Sequence, residues 1–99
     1  MGFQVGLTEE AQADLGAVVR FLAEKNPDAA LRIGNEILDV AFTLTLFPRR
    51  GTPVRRRPGM RKLTFRNYLI FYQVNKAAQW VEVVRIWEGR QNPASLRLP

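Results

Sequence analysis

The chain contains neither cysteine nor histidine. Without thiols, neither a disulfide nor a thiolate metal site is open to it. Without imidazole it lacks the commonest zinc ligand and the side chain that most often serves as a general base near neutral pH. No apolar run approaches the roughly 20 residues of a membrane span, and no basic region followed by an apolar stretch opens the chain. The expectation is a soluble, cytoplasmic protein with no membrane contact, no metal and no cofactor. Acidic side chains are also scarce, nine against fifteen basic ones, for a net charge of +6. They are unevenly placed. Residues 1–40 hold Arg20, Lys25 and Arg32 against seven carboxylates, a balance of −4, whereas residues 41–99 hold twelve cations against Glu82 and Glu88, a balance of +10. Such asymmetry fits a basic surface for nucleic acid or for an acidic protein partner, or a solvated face that serves solubility.

With 99 residues the chain has the size of one domain, short enough to bury a modest share of its surface. Phe3, Val5 and Leu7 alternate as in a strand. Thr8 suits a helix N-cap, and Glu9 and Glu10 place negative charge in the first turn. Ala11, Leu15, Val18, Val19 and Leu22 then carry an amphipathic helix to about Lys25. Asn26-Pro27-Asp28 stops it and caps a second helix, expected to run to about Phe47, before Pro48. Ala30, Ile33, Ile37, Ala41 and Leu44 form one stripe, with Leu31, Leu38 and Phe42 beside it, so the apolar face is wide. Gly34 costs about 1 kcal/mol of helix propensity, and a close approach of the two helices would be a reason to keep it. Residues 48–59 read as a loop. Three antiparallel strands follow: Met60–Phe65, a tight turn at Arg66-Asn67, Tyr68–Val74 with apolar residues on both faces, and Trp80–Trp87. Pro93 opposes a long final helix. The order β-α-α-β-β-β implies an α+β domain, a helical hairpin on one face of an antiparallel sheet.

Four segments, in this order along the chain, carry a resemblance. Leu7-Thr8-Glu9-Glu10-Ala11-Gln12-Ala13-Asp14-Leu15 is similar to a "T-x-x-A-x-x-D-L" opening. Phe47-Pro48-Arg49-Arg50-Gly51 is similar to a "P-x-x-G" exit from the second helix. Residues 61–74 follow "R-x-L-x-x-x-x-Y-x-I-x-Y-x-V", and Val81–Ile86 with Gly89-Arg90 resemble a "V-x-V-x-R-V-x-H-G-R-R" ending. Together they resemble the RelE/ParE superfamily of type II toxin–antitoxin toxins, closer to the ParE branch. The resemblance implies a toxin neutralised by a cognate antitoxin in a hetero-oligomer that commonly represses its own operon. It implies one of two targets: DNA gyrase, bound without chemistry as in ParE-like members, or the ribosome and its mRNA, cleaved without metal as in RelE-like members. A nontoxic basic interaction module descended from such toxins is a third reading.

Metal-free RNA cleavage needs an aligned 2′-hydroxyl, a proton acceptor and cations around the phosphate. Lys62 matches a position often basic in the RNA-cleaving branch, and Arg61 and Arg85 would join it in a nuclease set. Two features of that branch are missing: its "Y-R-L-V-Y" arginine is Leu69 here, and Trp87-Glu88 replaces its late histidine or basic residue. Glu88 is a base in principle, although a surface glutamate more often pairs with an arginine. The residues expected to contact antitoxin or target are Arg49, Arg50, Arg61, Lys62, Arg66, Arg85 and Arg90. Eight basic residues fall between Arg49 and Arg66 with no intervening acid. Arg61 and Arg85 suit phosphate or carboxylate, and equally suit pairing with Glu82, Glu88 or chain carbonyls. Tyr68, Tyr72, Trp80 and Trp87 either stack on bases or fill the core.

Overall fold

The computed structural model describes residues 2–91 and 96–98; the expectation attached to Pro93 lies outside them. The elements are β1 (Gln4–Leu7), α1 (Glu9–Ala23), α2 (Pro27–Phe42), a 3-10 turn (Thr43–Thr45), β2 (Thr52–Pro53), β3 (Met60–Phe65), β4 (Tyr68–Asn75) and β5 (Trp80–Glu88). Both caps form as their residue types dictate. The Ala11 N–H donates to Thr8 Oγ1 at 3.1 Å, and the Ala29 N–H donates to Asn26 Oδ1 at 3.1 Å. Pro27 occupies the first turn of α2, where its missing N–H has no intrahelical partner to lose.

α2 stops at Phe42, short of the expected Phe47. The Thr43 hydroxyl donates to the Val40 carbonyl at 2.6 Å, and the chain tightens into 3-10 geometry. A short β-branched alcohol competing for the last helical carbonyls explains the early end. Leu44, Leu46 and Phe47 keep a helix-like spacing after the helix has finished. Gly34 sits where the two helices touch: a Cβ there would lie 2.8 Å from Val19 Cγ2.

The sheet runs β1-β5-β4-β3-β2. It is mixed rather than purely antiparallel, because β1 pairs in parallel with β5, from Gln4 opposite Trp80 to Leu7 opposite Val83. The helical hairpin and three strands separate the two in sequence, so the pairing has no local signature. A fifth strand comes from the loop: Thr52 pairs with Lys62 and Pro53 with Arg61 at the sheet edge, the position where a proline is tolerated. In the β4–β5 ladder the register shifts at Phe71/Tyr72, leaving Val84 as an extra residue on β5. The helices cover one face of the sheet over Ile37, Ala41, Leu44, Leu63, Tyr68, Ile70, Tyr72, Val81 and Val83. The opposite face carries Met60, Phe71, Val84 and Trp87, against which Val54, Leu69, Leu96 and Leu98 pack. β4 is apolar on both faces for that reason.

Candidate functional site

Two of the motif arginines, Arg61 and Arg85, are partly buried and held by the fold. Beyond the end of β1, the edge of β5 has no strand beside it, and the start of α1 takes that place. Thr8 Oγ1 donates to the Val84 carbonyl at 3.0 Å, and the Ile86 N–H donates to Asp14 Oδ2 at 2.9 Å. Asp14 also receives Arg85 in a bidentate pair, Nε at 2.7 Å and Nη2 at 3.0 Å, and Arg85 Nη1 reaches the Arg97 carbonyl at 3.1 Å. The bonds to Asp14 raise the Arg85 pKa above its ordinary value, against the opposing effect of burial. Its guanidinium lies 5.7 Å from the Trp87 ring. Thr8 and Asp14 of the opening motif therefore fasten Val84, Arg85 and Ile86 of the closing one.

A second lock joins the other two motifs. The Gly51 N–H donates to the buried Tyr72 hydroxyl at 2.9 Å, and Arg61 Nη1 donates to the Gly51 carbonyl at 2.7 Å and, more weakly, to the Arg49 carbonyl at 3.4 Å. A Cβ at position 51 would lie 2.7 Å from the Lys62 carbonyl oxygen and 2.8 Å from the Tyr72 hydroxyl, so only glycine fits. Burial pushes the Tyr72 phenol up, partly offset by the Gly51 N–H. Arg61 and Arg85 thus bind chain carbonyls and Asp14 rather than Glu82 or Glu88.

Glu88 is similarly engaged. Its Oε1 accepts from the Arg90 N–H at 2.9 Å, from Arg90 Nε at 3.1 Å and from Asn67 Nδ2 at 2.9 Å. The Arg90 N–H foremost, then Asn67, hold its pKa below the ordinary carboxylate value. A carboxylate so stabilised is a poor proton acceptor. Burial first, and then the Glu88 charge, raise the Tyr68 phenol. Arg66 pairs with Glu36 at 3.0 Å and lies 5.5 Å from the Phe65 ring. A cleft of about 640 Å³ between α1 and the end of the β4–β5 hairpin gathers Asp14, Arg66, Arg85, Glu88 and Arg90. Each cation there already has a carboxylate. Tyr68, Tyr72 and Trp87 are core residues, whereas Trp80 is partly exposed.

Open cations lie elsewhere. Lys62 sits on the sheet face away from the helices, with no side-chain partner among the described residues. Arg49 and Arg50 flank the exit from the 3-10 turn, Arg50 tethered to Thr43 Oγ1 at 2.8 Å. They rim a groove of about 880 Å³ lined by Phe3, Leu46, Phe47, Pro48 and Val74, with Lys76 from the β4–β5 turn opposite; no carboxylate lines it. Leu46 and Phe47 are 72% and 62% exposed. The sequence pointed to Arg49 and Arg50 but not to Lys76 or to these apolar side chains. Their signal was the excess width of the α2 face, more apolar residues than one core stripe can bury. Among the described residues no cluster of acidic side chains could hold a metal ion, and no helix is long and apolar enough to cross a membrane.

The profile of the family described as "ParE toxin of type II toxin-antitoxin system, parDE" matches residues 5–93. The chain belongs to this ParE toxin family. Solved structures share the fold of this ParE-family chain. The chromosomal ParDE toxin–antitoxin system from P. aeruginosa aligns with a TM-score of 0.73 at 22% identity, covering 87% of this chain and 95% of that one. The RelBE2 toxin–antitoxin complex from Mycobacterium tuberculosis gives 0.68 at 24% identity, covering 89% and 99%. The isolated E. coli RelE toxin gives 0.55 at 14% identity, covering 93% and 89%. No curated protein matches the sequence. The four motifs of this ParE-family chain are mostly core positions and locks, so they specify how it folds.

Proposed function

We propose that this ParE-family toxin inhibits growth by binding a protein target, DNA gyrase being the candidate its branch implies, and that a cognate antitoxin neutralises it in a hetero-oligomer. The observation that carries this reading is the division among the cations. Arg61 and Arg85, two of the three residues a nuclease set would need, hold Gly51 and Asp14. The open cations Arg49 and Arg50 instead border an apolar groove, a combination suited to protein surfaces. Leu69 and Glu88, where the RNA-cleaving branch carries basic residues or histidine, favour the same reading. Inducible expression with and without the product of a small acidic reading frame beside the gene tests it, with translation and DNA topology both followed. The expected result is growth arrest with altered topology and intact messages, relieved by the neighbour. Cleaved messages with unaltered topology would overturn it, and no growth defect at all would favour the nontoxic interaction module.

One observation favours a ribosome-dependent mRNA endoribonuclease as the second reading: the open ammonium of Lys62 on the face away from the helices. Lys62→Ala spares both locks, so loss of message cleavage in that variant would support a nuclease, and a stable protein with unchanged toxicity would remove it.

A further inference from the structure

We infer that the groove beside the 3-10 turn is where the antitoxin docks, through a segment that sets a large apolar side chain between Leu46 and Phe47 and its carboxylates over Arg49, Arg50 and Lys76. This rests on the antitoxin pairing proposed above and names its site.

Apolar side chains exposed together, rimmed by polar groups, mark an interaction surface. Leu31, Phe42 and Leu46 are 64%, 49% and 72% exposed. With the half-buried Leu38 they recur at near-helical spacing, a stripe on the side of α2 turned from the core. From Leu31 the stripe runs about 20 Å to the groove, where Phe47 and Pro48 extend it. Charge changes along it. α2 itself carries Asp28 and Asp39 beside Arg32, with Glu36 paired to Arg66, whereas Arg49, Arg50 and Lys76 crowd the far end with no carboxylate in the lining. The acidic and basic halves of the chain meet here. A complementary segment is therefore apolar along its length, with its acids confined to the end above the 3-10 turn. A nucleic acid would engage the three cations yet leave most of the apolar stripe uncovered.

The test uses the whole chain and its cognate antitoxin, sought as a small acidic reading frame beside the gene, with affinity measured at low and high salt. Circular dichroism verifies that each variant is folded. Arg49→Glu with Arg50→Glu should weaken binding by about tenfold or more, and flatten the salt dependence. Lys76→Glu should act in the same direction. Phe47→Ala should weaken binding about tenfold or more while leaving the salt dependence intact. The same charge change on the β2–β3 hairpin, Arg55→Glu with Arg56→Glu, should leave affinity within about twofold. Wild-type affinity in the groove variants, or equal loss in the hairpin variant, would each overturn the site. Failure of the unmodified chain to bind the neighbour would overturn the pairing itself, a result distinct from binding that ignores the groove.

Discussion

Asp14→Ala should be among the most damaging single changes in the molecule, although Asp14 sits on a surface helix. Its carboxylate accepts from Arg85 Nε at 2.7 Å, Arg85 Nη2 at 3.0 Å and the Ile86 N–H at 2.9 Å. The two side chains are 17% and 18% exposed. Water can therefore replace part of what is lost, but not all. One orphaned buried group costs about 1–3 kcal/mol, and breaking a fully buried pair costs about 3–5 kcal/mol. With an orphaned N–H and a largely desolvated guanidinium left behind, about 3 kcal/mol is expected. A small domain has only about 5–15 kcal/mol to lose, and at this size the midpoint of thermal unfolding should fall by about 12 °C or more. Asp14→Asn keeps an acceptor and should lose less. Arg85→Ala leaves the Ile86 N–H bonded to Asp14 and should also lose less than Asp14→Ala. Denaturant unfolding of both single variants and the double variant measures the coupling, expected to be at least about 1 kcal/mol. An Asp14→Ala protein within about 0.5 kcal/mol of the unmodified chain, the range of ordinary surface changes, would refute the lock.

The second lock gives two further tests by denaturant unfolding. Gly51→Ala drives a Cβ to 2.7 Å from the Lys62 carbonyl oxygen and should cost about 1–3 kcal/mol. Tyr72→Phe orphans the Gly51 N–H and should cost about as much. At the helix contact, Gly34→Ala meets Val19 Cγ2 at 2.8 Å and should not stabilise the protein. In a Val19→Ala background the clash is gone, and the same change should gain up to about 1 kcal/mol of helix propensity. Glu88 has a folded pKa below its ordinary value of 4.5. Its contribution is therefore present above that pH and lost as pH falls through the folded value. Stability measured against pH should fall less steeply on the acid side in Glu88→Gln, and the two curves should converge in acid.

The parts of the fold that local chemistry decides were readable in the sequence. Thr8 and Asn26 cap, Pro27 opens a helix, Arg66-Asn67 turns, and Gly34 marks the helix contact. What escaped was decided at long range or by competition. The β1–β5 pairing joins the two ends of the described fold, and the Asp14–Arg85 bond spans 71 positions. Nothing in the spacing of either residue announces its partner. The end of α2 was misplaced because Leu44, Leu46 and Phe47 keep an apolar rhythm that Thr43 interrupts through its hydroxyl, not through hydrophobicity. The same misplacement hid the groove, since Leu46 and Phe47, expected within the second helix, lie exposed beyond its end. Arg49 and Arg50 were visible as charge, but only the β4–β5 hairpin brings Lys76 opposite them.

The most direct test of the proposed mode is a gyrase supercoiling assay with the purified chain, run beside an assay of message integrity on translating ribosomes. Inhibited supercoiling with intact messages, reversed by the antitoxin, is the predicted result. Unimpaired supercoiling with messages cut on the ribosome would contradict it.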